Sequence, residues 1–172
     1  MPSEQGLTGQ VLDSGGSSFW VLGGCGNGSG IAWSDETDPG AKLCQASGTY
    51  IPDTPEGFTG EAYHREYRGA AVDGFGWQDD VYVGGAQLRN VEFGVVSQID
   101  TTNSWAVSGV MGLKPESPVL RAMKEQSILR DVFFAVSYID NDDTSGDIVF
   151  GGVDKSKFAG PLRPALSPKV NM

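Results

Sequence analysis

Cysteine, histidine and basic charge are all scarce in this chain, and each shortage closes off a class of function. Cys25 and Cys44 are the only cysteines in 172 residues, too few to hold a structural zinc unaided. They bracket a Gly/Asp-rich loop, which they either close as a disulfide or flank as buried thiols. A lone histidine, His64, and no Gly-x-Ser-x-Gly elbow leave a Ser-His-Asp hydrolase without its parts; a half-exposed strand histidine is the plainer reading. Twelve basic residues against twenty-two acidic ones give a net charge of −10, which argues against nucleic acid, because affinity for phosphate comes largely from Lys and Arg. An acidic surface also suits an acidic medium, where protonation relieves self-repulsion. No apolar stretch reaches membrane-spanning length. The N-terminus has no basic patch followed by an apolar run, so the expectation is a mature, truncated or non-secreted chain.

What is abundant is glycine. Twenty-five glycines and nine prolines punctuate short apolar runs, while 39% apolar residues suffice for the core of one domain or one lobe. The expected architecture is therefore mainly β with one short helix. Strands are predicted at Val11-Leu12, Phe19–Leu22, Tyr63–Tyr67, Gly74–Val83 and Val91–Ile99, with Gly84-Gly85 turning between the last two. Gly23 to Gly40 reads as a long polar loop. The helix is predicted from Ser117 as N-cap and Pro118 as first residue through Val119, Leu120 and Met123 to Ser127-Ile128. Val132–Ile139 and Ile148–Phe150 then pair across a polar turn, Asp140 to Asp147. Pro161 to Met172 carries three prolines and little apolar pattern, as an exit segment would.

One segment carries chemistry. Val11-Leu12-Asp13-Ser14-Gly15-Gly16-Ser17-Ser18-Phe19-Trp20-Val21 sets a carboxylate in a glycine-containing turn between two apolar runs. The flanks withdraw the acid from water, while turn N–H groups and the Ser14 hydroxyl can orient it. The same segment also fits an Asp that caps a hairpin turn. Gly24, Gly26, Gly28 and Gly30 miss the spacing of a phosphate-cradling loop. Asn141, Asp143, Ser145 and Gly146 lack the terminal Glu of a calcium loop, and a solvated turn accounts for them. Trp33, Trp77 and Trp105 read as core or cleft-wall residues. Asn27-Gly28-Ser29 is a glycosylation sequon.

Four segments, in order, resemble the N-terminal lobe of the pepsin-like aspartic endopeptidases. Asp13-Ser14-Gly15 with Ser17 and Trp20-Val21 is similar to the Asp-Thr/Ser-Gly-Ser-Ser-x-x-Trp-Val signature. Tyr67, Gly69, Gly74, Asp79, Val81 and Val83-Gly84-Gly85 resemble the flap hairpin and its following strand. Ser108-Gly109-Val110-Met111-Gly112-Leu113 is similar to Asp-Gly-Ile-Leu-Gly-Leu. Ser145 to Asp154, with Phe158 and Gly160, resembles the stretch that closes the lobe. The cysteine-bracketed loop and Cys44–Tyr50 look most like the secreted fungal candidapepsin and yapsin type.

The resemblance implies one lobe of the double-ψ β-barrel acid protease fold, over residues 1–163, lacking its first strands, with 164–172 leading towards a second lobe. It implies peptide hydrolysis by water held between two aspartates that share a proton at acid pH, with no metal or other cofactor. Asp13 would be the catalytic aspartate, Ser14 and Gly15 its turn, and Tyr67 the flap tyrosine, its hydroxyl within reach of the Trp20 indole. Val11, Trp20, Val107 and Val110 would line the substrate pocket. The partners implied are a polypeptide substrate and a second aspartate-bearing lobe, and the setting is extracellular, cell-surface or vacuolar. Departures stand beside the matches. Gly16 replaces a serine that bonds the aspartate, Arg68 and Ala70 replace flap-tip glycines, and Ser108 replaces an aspartate. No second Asp-Thr/Ser-Gly exists, since Asp143-Thr144-Ser145-Gly146 has the wrong order. A fragment of a two-lobed enzyme, a self-pairing homodimer and a non-catalytic binding lobe all fit a chain with one such motif.

Overall fold

The computed structural model describes residues 10–24, 42, 44–46, 48–52, 55–101, 109–138 and 146–163. Cys25, Asn27, Val107, Ser108, Trp33, Trp105, Asn141, Asp143 and the exit segment 164–172 lie outside the described residues. The chain divides into two units, Met1–Arg130 and Asp131–Met172.

The first unit is mainly β and, among the described residues, is built on six strands: β1 Val11–Asp13, β2 Phe19–Leu22, β3 Phe58–Tyr67, β4 Ala70–Val83, β5 Ala86–Thr101 and β6 Val110–Gly112, in the sheet order β1-β6-β2-β5-β4-β3. All four β2 residues are buried, as a continuous apolar run requires. β2 lies between β6, to which it is antiparallel, and β5, to which it is parallel, with Trp20 opposite both Val110 and Gly94. Trp20, Leu22, Cys44, Val72, Val96 and Val110 form the core, with Val11, Tyr63, Tyr67 and Ile99 packed on it.

Two hairpins carry the sheet outward. Tyr67 pairs with Ala70 across Arg68-Gly69, whose glycine has φ +81°. Val83 pairs with Ala86 across Gly84-Gly85, where φ of +56° and +83° gives the turn whose twist matches paired strands. β3 begins at Phe58, five residues before the predicted Tyr63, because an exposed edge strand needs no apolar face. β5 likewise runs beyond Val91–Ile99 in both directions.

The helix Pro118–Glu125 buries Val119, Leu120, Ala122 and Met123, and Pro118 stands in its first turn as predicted. Ser117 holds the N-cap position, but its side chain makes no cap bond. The predicted continuation to Ser127-Ile128 is corrected: Ser127 has φ +59°, which ends the helix, and the Gln126 side chain brackets the Arg89 backbone instead. Residues 42 and 44–46 are also helical, so the single helix expected is joined by a second.

In the second unit, β7 Phe134–Tyr138 and β8 Gly146–Phe150 are antiparallel, Phe134 opposite Phe150 and Tyr138 opposite Gly146. Gly146 and Asp147 are thus strand residues, not part of the predicted turn. Asp154 starts the short 3-10 turn Lys155–Lys157 by accepting from Ser156 N–H at 2.9 Å. Among the described residues no helix is long and apolar enough to cross a membrane.

Candidate active site

The turn after β1 is fastened from two sides. Asp13 lies opposite Gly112 in the parallel β1–β6 pair. Its carbonyl accepts from Leu113 N–H at 2.8 Å and from Gly16 N–H at 3.4 Å. The Gly16 carbonyl accepts from Lys114 N–H at 3.0 Å, and the Ser18 carbonyl from Gly112 N–H at 2.7 Å. Gly112 is needed for this approach, since a Cβ there would stand 2.6 Å from the Ser17 carbonyl carbon.

Within this frame the half-buried Asp13 carboxylate accepts from Gly15 N–H through Oδ1 at 2.8 Å. Ser14 is exposed, and among the described residues the carboxylate is oriented by the Gly15 amide and not by the Ser14 hydroxyl. A carboxylate so held, with its second oxygen unbonded to the turn, can accept a proton from water or share one with a neighbouring acid.

Tyr67 ends β3 at the hairpin turn, and its Oη accepts from the buried Trp20 Nε1–H at 2.8 Å, the contact expected from sequence. The two rings lie 6.5 Å apart at 54°. Trp20 and Val110 are fully buried, and Val11 is partly buried against them. Val11, Trp20, Val110 and Tyr67 therefore gather in one core, and Asp13 ends the strand that Val11 begins, while Val107, Cys25 and Asn27 lie outside the described residues. Cys44 is fully buried within that core.

Tyr63 and Arg65 were not singled out from sequence, although strand alternation places them on the Tyr67 face. The Arg65 guanidinium sits 4.5 Å above the Tyr63 ring, and Tyr63 Oη donates to the Phe19 carbonyl at 3.3 Å. Burial pushes the Tyr63 hydroxyl up to about 12, so it stays protonated at any ordinary pH. With Ser17, Ser18, Trp77 and Glu116 these two residues line a cavity of about 420 Å³ beside the turn. Trp77 is thus a wall residue.

His64 and Glu66 alternate to the other face of the hairpin. His64 Nδ1 lies 2.7 Å from Asp73 Oδ1 on β4, and Nε2 lies 3.6 Å from Glu66 Oε1. Hydrogen bonding to Asp73 raises the imidazole pKa above its ordinary value. Among the described residues no cluster of His, Cys, Asp or Glu could hold a metal ion.

The eukaryotic aspartyl protease family matches residues 4–165 of the chain. Secreted aspartic protease 8 of Candida albicans is 29% identical over 165 residues, covering 88% of this chain and 38% of that protein. The probable aspartic-type endopeptidase opsB of Aspergillus fumigatus is 29% identical over 181 residues, covering 94% of this chain and 34% of that one. Barrierpepsin of Saccharomyces cerevisiae is 25% identical over 184 residues, with coverage of 88% and 30%. The chain spans about a third of the length of these relatives. A family match across nearly all of its residues, on a mainly β fold with the Asp13 turn fastened to β6 and Tyr67 bonded to Trp20, makes this chain a member of the eukaryotic aspartyl protease family.

Proposed function

We propose that this chain is the N-terminal catalytic lobe of a secreted aspartic endopeptidase, residues 1–163 forming the lobe and 164–172 leading to a second one. It supplies Asp13 as one member of a catalytic pair, and the other comes from a second aspartate-bearing lobe. The observation that carries the reading is the Asp13 turn, tied to β6 through Leu113 N–H and oriented through Gly15 N–H.

Two carboxylates held close cannot readily both ionise, so at acid pH the pair shares one proton and titrates as a unit. The ionised member takes a proton from the water as it attacks the scissile carbonyl, and the protonated member donates to the carbonyl oxygen. Ser14 and Gly15 hold the turn of Asp13. Tyr67 closes over the substrate from the hairpin, its hydroxyl fixed by Trp20. Val11, Trp20, Val107 and Val110 contribute to the pocket for the substrate side chain before the cut. Cys25 and Cys44 close their loop as a disulfide, Asn27 carries glycan, and the relatives named as secreted support an extracellular setting. The chemistry needs no cofactor.

The test is cleavage of an unfolded protein at acid pH by the protein expressed with its full coding sequence. Cleavage abolished by Asp13→Asn is the expected result. Rates rising with the square of concentration would mark self-pairing of two copies in place of a second lobe on the same chain. No cleavage at any concentration overturns the catalytic reading in favour of a binding lobe.

A further inference from the structure

We infer that Gly16 is a positioning residue for Asp13: the space left by its missing side chain is the space the Asp13 carboxylate occupies. The inference rests on the catalytic role proposed for Asp13 and states where that carboxylate is kept.

A protein uses glycine for a φ that other residues avoid or for the absence of a Cβ. Gly16 is not among the glycines with positive φ, so its backbone suits any residue. Space is what remains. A Cβ on Gly16 would overlap Oδ2 of Asp13 and lie 3.1 Å from its Cγ. A Cβ on Gly15 would lie 3.2 Å from Oδ1, close to the oxygen that already receives the Gly15 N–H. The carboxylate thus lies back over its own turn, Oδ1 at residue 15 and Oδ2 at residue 16.

The Gly16 backbone has no room to retreat. Its N–H donates to the Asp13 carbonyl at 3.4 Å, and its carbonyl accepts from Lys114 N–H at 3.0 Å. Gly112 presses on it from β6, where an added Cβ would stand 2.7 Å from the Gly16 oxygen. The carboxylate, by contrast, ends a side chain with rotatable bonds. Any side chain at position 16 therefore turns the carboxylate and leaves the fold in place. Serine there, as in the signature this chain resembles, would bring a hydroxyl only after the acid had moved. Gly16 is more than a lost hydrogen bond; it assigns Asp13 a different resting position.

The experiment is NMR on the isotopically labelled chain. Three-bond couplings to Cγ report the Asp13 χ1 rotamer, and the Gly15 amide proton reports carboxylate protonation because it donates to Oδ1. In Gly16→Ala and Gly16→Ser the Asp13 rotamer is expected to change and the acid-titration amplitude of the Gly15 amide to collapse, with β4 and β5 amides unmoved. An unchanged rotamer and amplitude in both variants overturns the inference. Loss of folding in both also overturns it, by placing the crowding on the backbone. Proteolysis supplies the separate arm. The variants are expected to lose about 10²-fold in kcat with KM held within about twofold, the pattern of a displaced reacting group. An unchanged kcat with a turned carboxylate overturns the positioning role. Absence of cleavage by the parent protein overturns the catalytic reading, and the couplings then judge the rotamer claim alone.

Discussion

Replacing Tyr67 with Phe deletes one oxygen and tests how the hairpin is tied to the core. The Trp20 indole N–H can only donate, its residue is 0% exposed, and it donates to Tyr67 Oη at 2.8 Å. In the variant that N–H stays buried and loses the tyrosine oxygen. The cost is then that of a stranded donor, about 1–3 kcal/mol, above the roughly 0.5–1.5 kcal/mol of an ordinary exchange with water. The phenyl ring keeps its packing, so little apolar burial changes. For a chain of this size about 2–4 °C is lost per kcal/mol, and the melting temperature should fall by roughly 2–12 °C. Thermal and urea denaturation followed by far-ultraviolet circular dichroism give the number. A double-mutant cycle with Trp20→Phe isolates the pair, since in that background the hydroxyl has no indole to satisfy and its removal should cost less than in the parent. A Tyr67→Phe protein that melts with the parent, or a cycle that closes additively, would refute the claim.

Two other perturbations have signs set by the structure. Hydrogen bonding to Asp73 raises the His64 pKa, so the stabilisation from this bridge is complete below the unfolded value, about 6.5, and is lost as pH rises through the folded one. Amides of the β3–β4 hairpin, corrected for intrinsic rates, should exchange more slowly near pH 5 than near pH 8. His64→Gln should remove the difference, and equal protection at both values in the parent would contradict the assignment. Gln126 accepts from Arg89 N–H at 2.9 Å and donates to the Arg89 carbonyl at 2.8 Å. Gln126→Ala should therefore cost about 1–2 kcal/mol in urea unfolding, and no measurable change would show that water replaces both bonds.

Where structure depends on neighbours in sequence, it was legible. Gly84-Gly85 declared its hairpin because both positions need positive φ, and Pro118 declared a helix start because its ring suits the first turn. The helix end was not legible. Ile128 continues the apolar pattern, but Gln126 is drawn to the Arg89 backbone, 37 residues earlier in the chain, and Ser127 takes φ +59°. The start of β3 was hidden for a different reason. At the edge of the sheet its residues face water on both sides, and Thr59-Gly60-Glu61 carry no alternation to read. The placing of β1 beside β6 joins residues about a hundred positions apart, and no local signal foretells it.

The candidate site divides along the same line. Asp13 and Tyr67 stand in recognisable segments, but the groups that fasten the Asp13 turn, Leu113 N–H and Lys114 N–H, are brought by β6. Gly16 shows how far a local reading goes. In sequence it is a serine position without its hydroxyl, hence one bond fewer on the acid. In space its lack of a Cβ admits Oδ2 of Asp13, a relation that depends on Lys114 and Gly112 keeping the residue 16 backbone from moving aside. Sequence can report that an atom is missing. Only the fold says which other atom fills the gap, and here that atom belongs to the carboxylate on which the proposed chemistry turns.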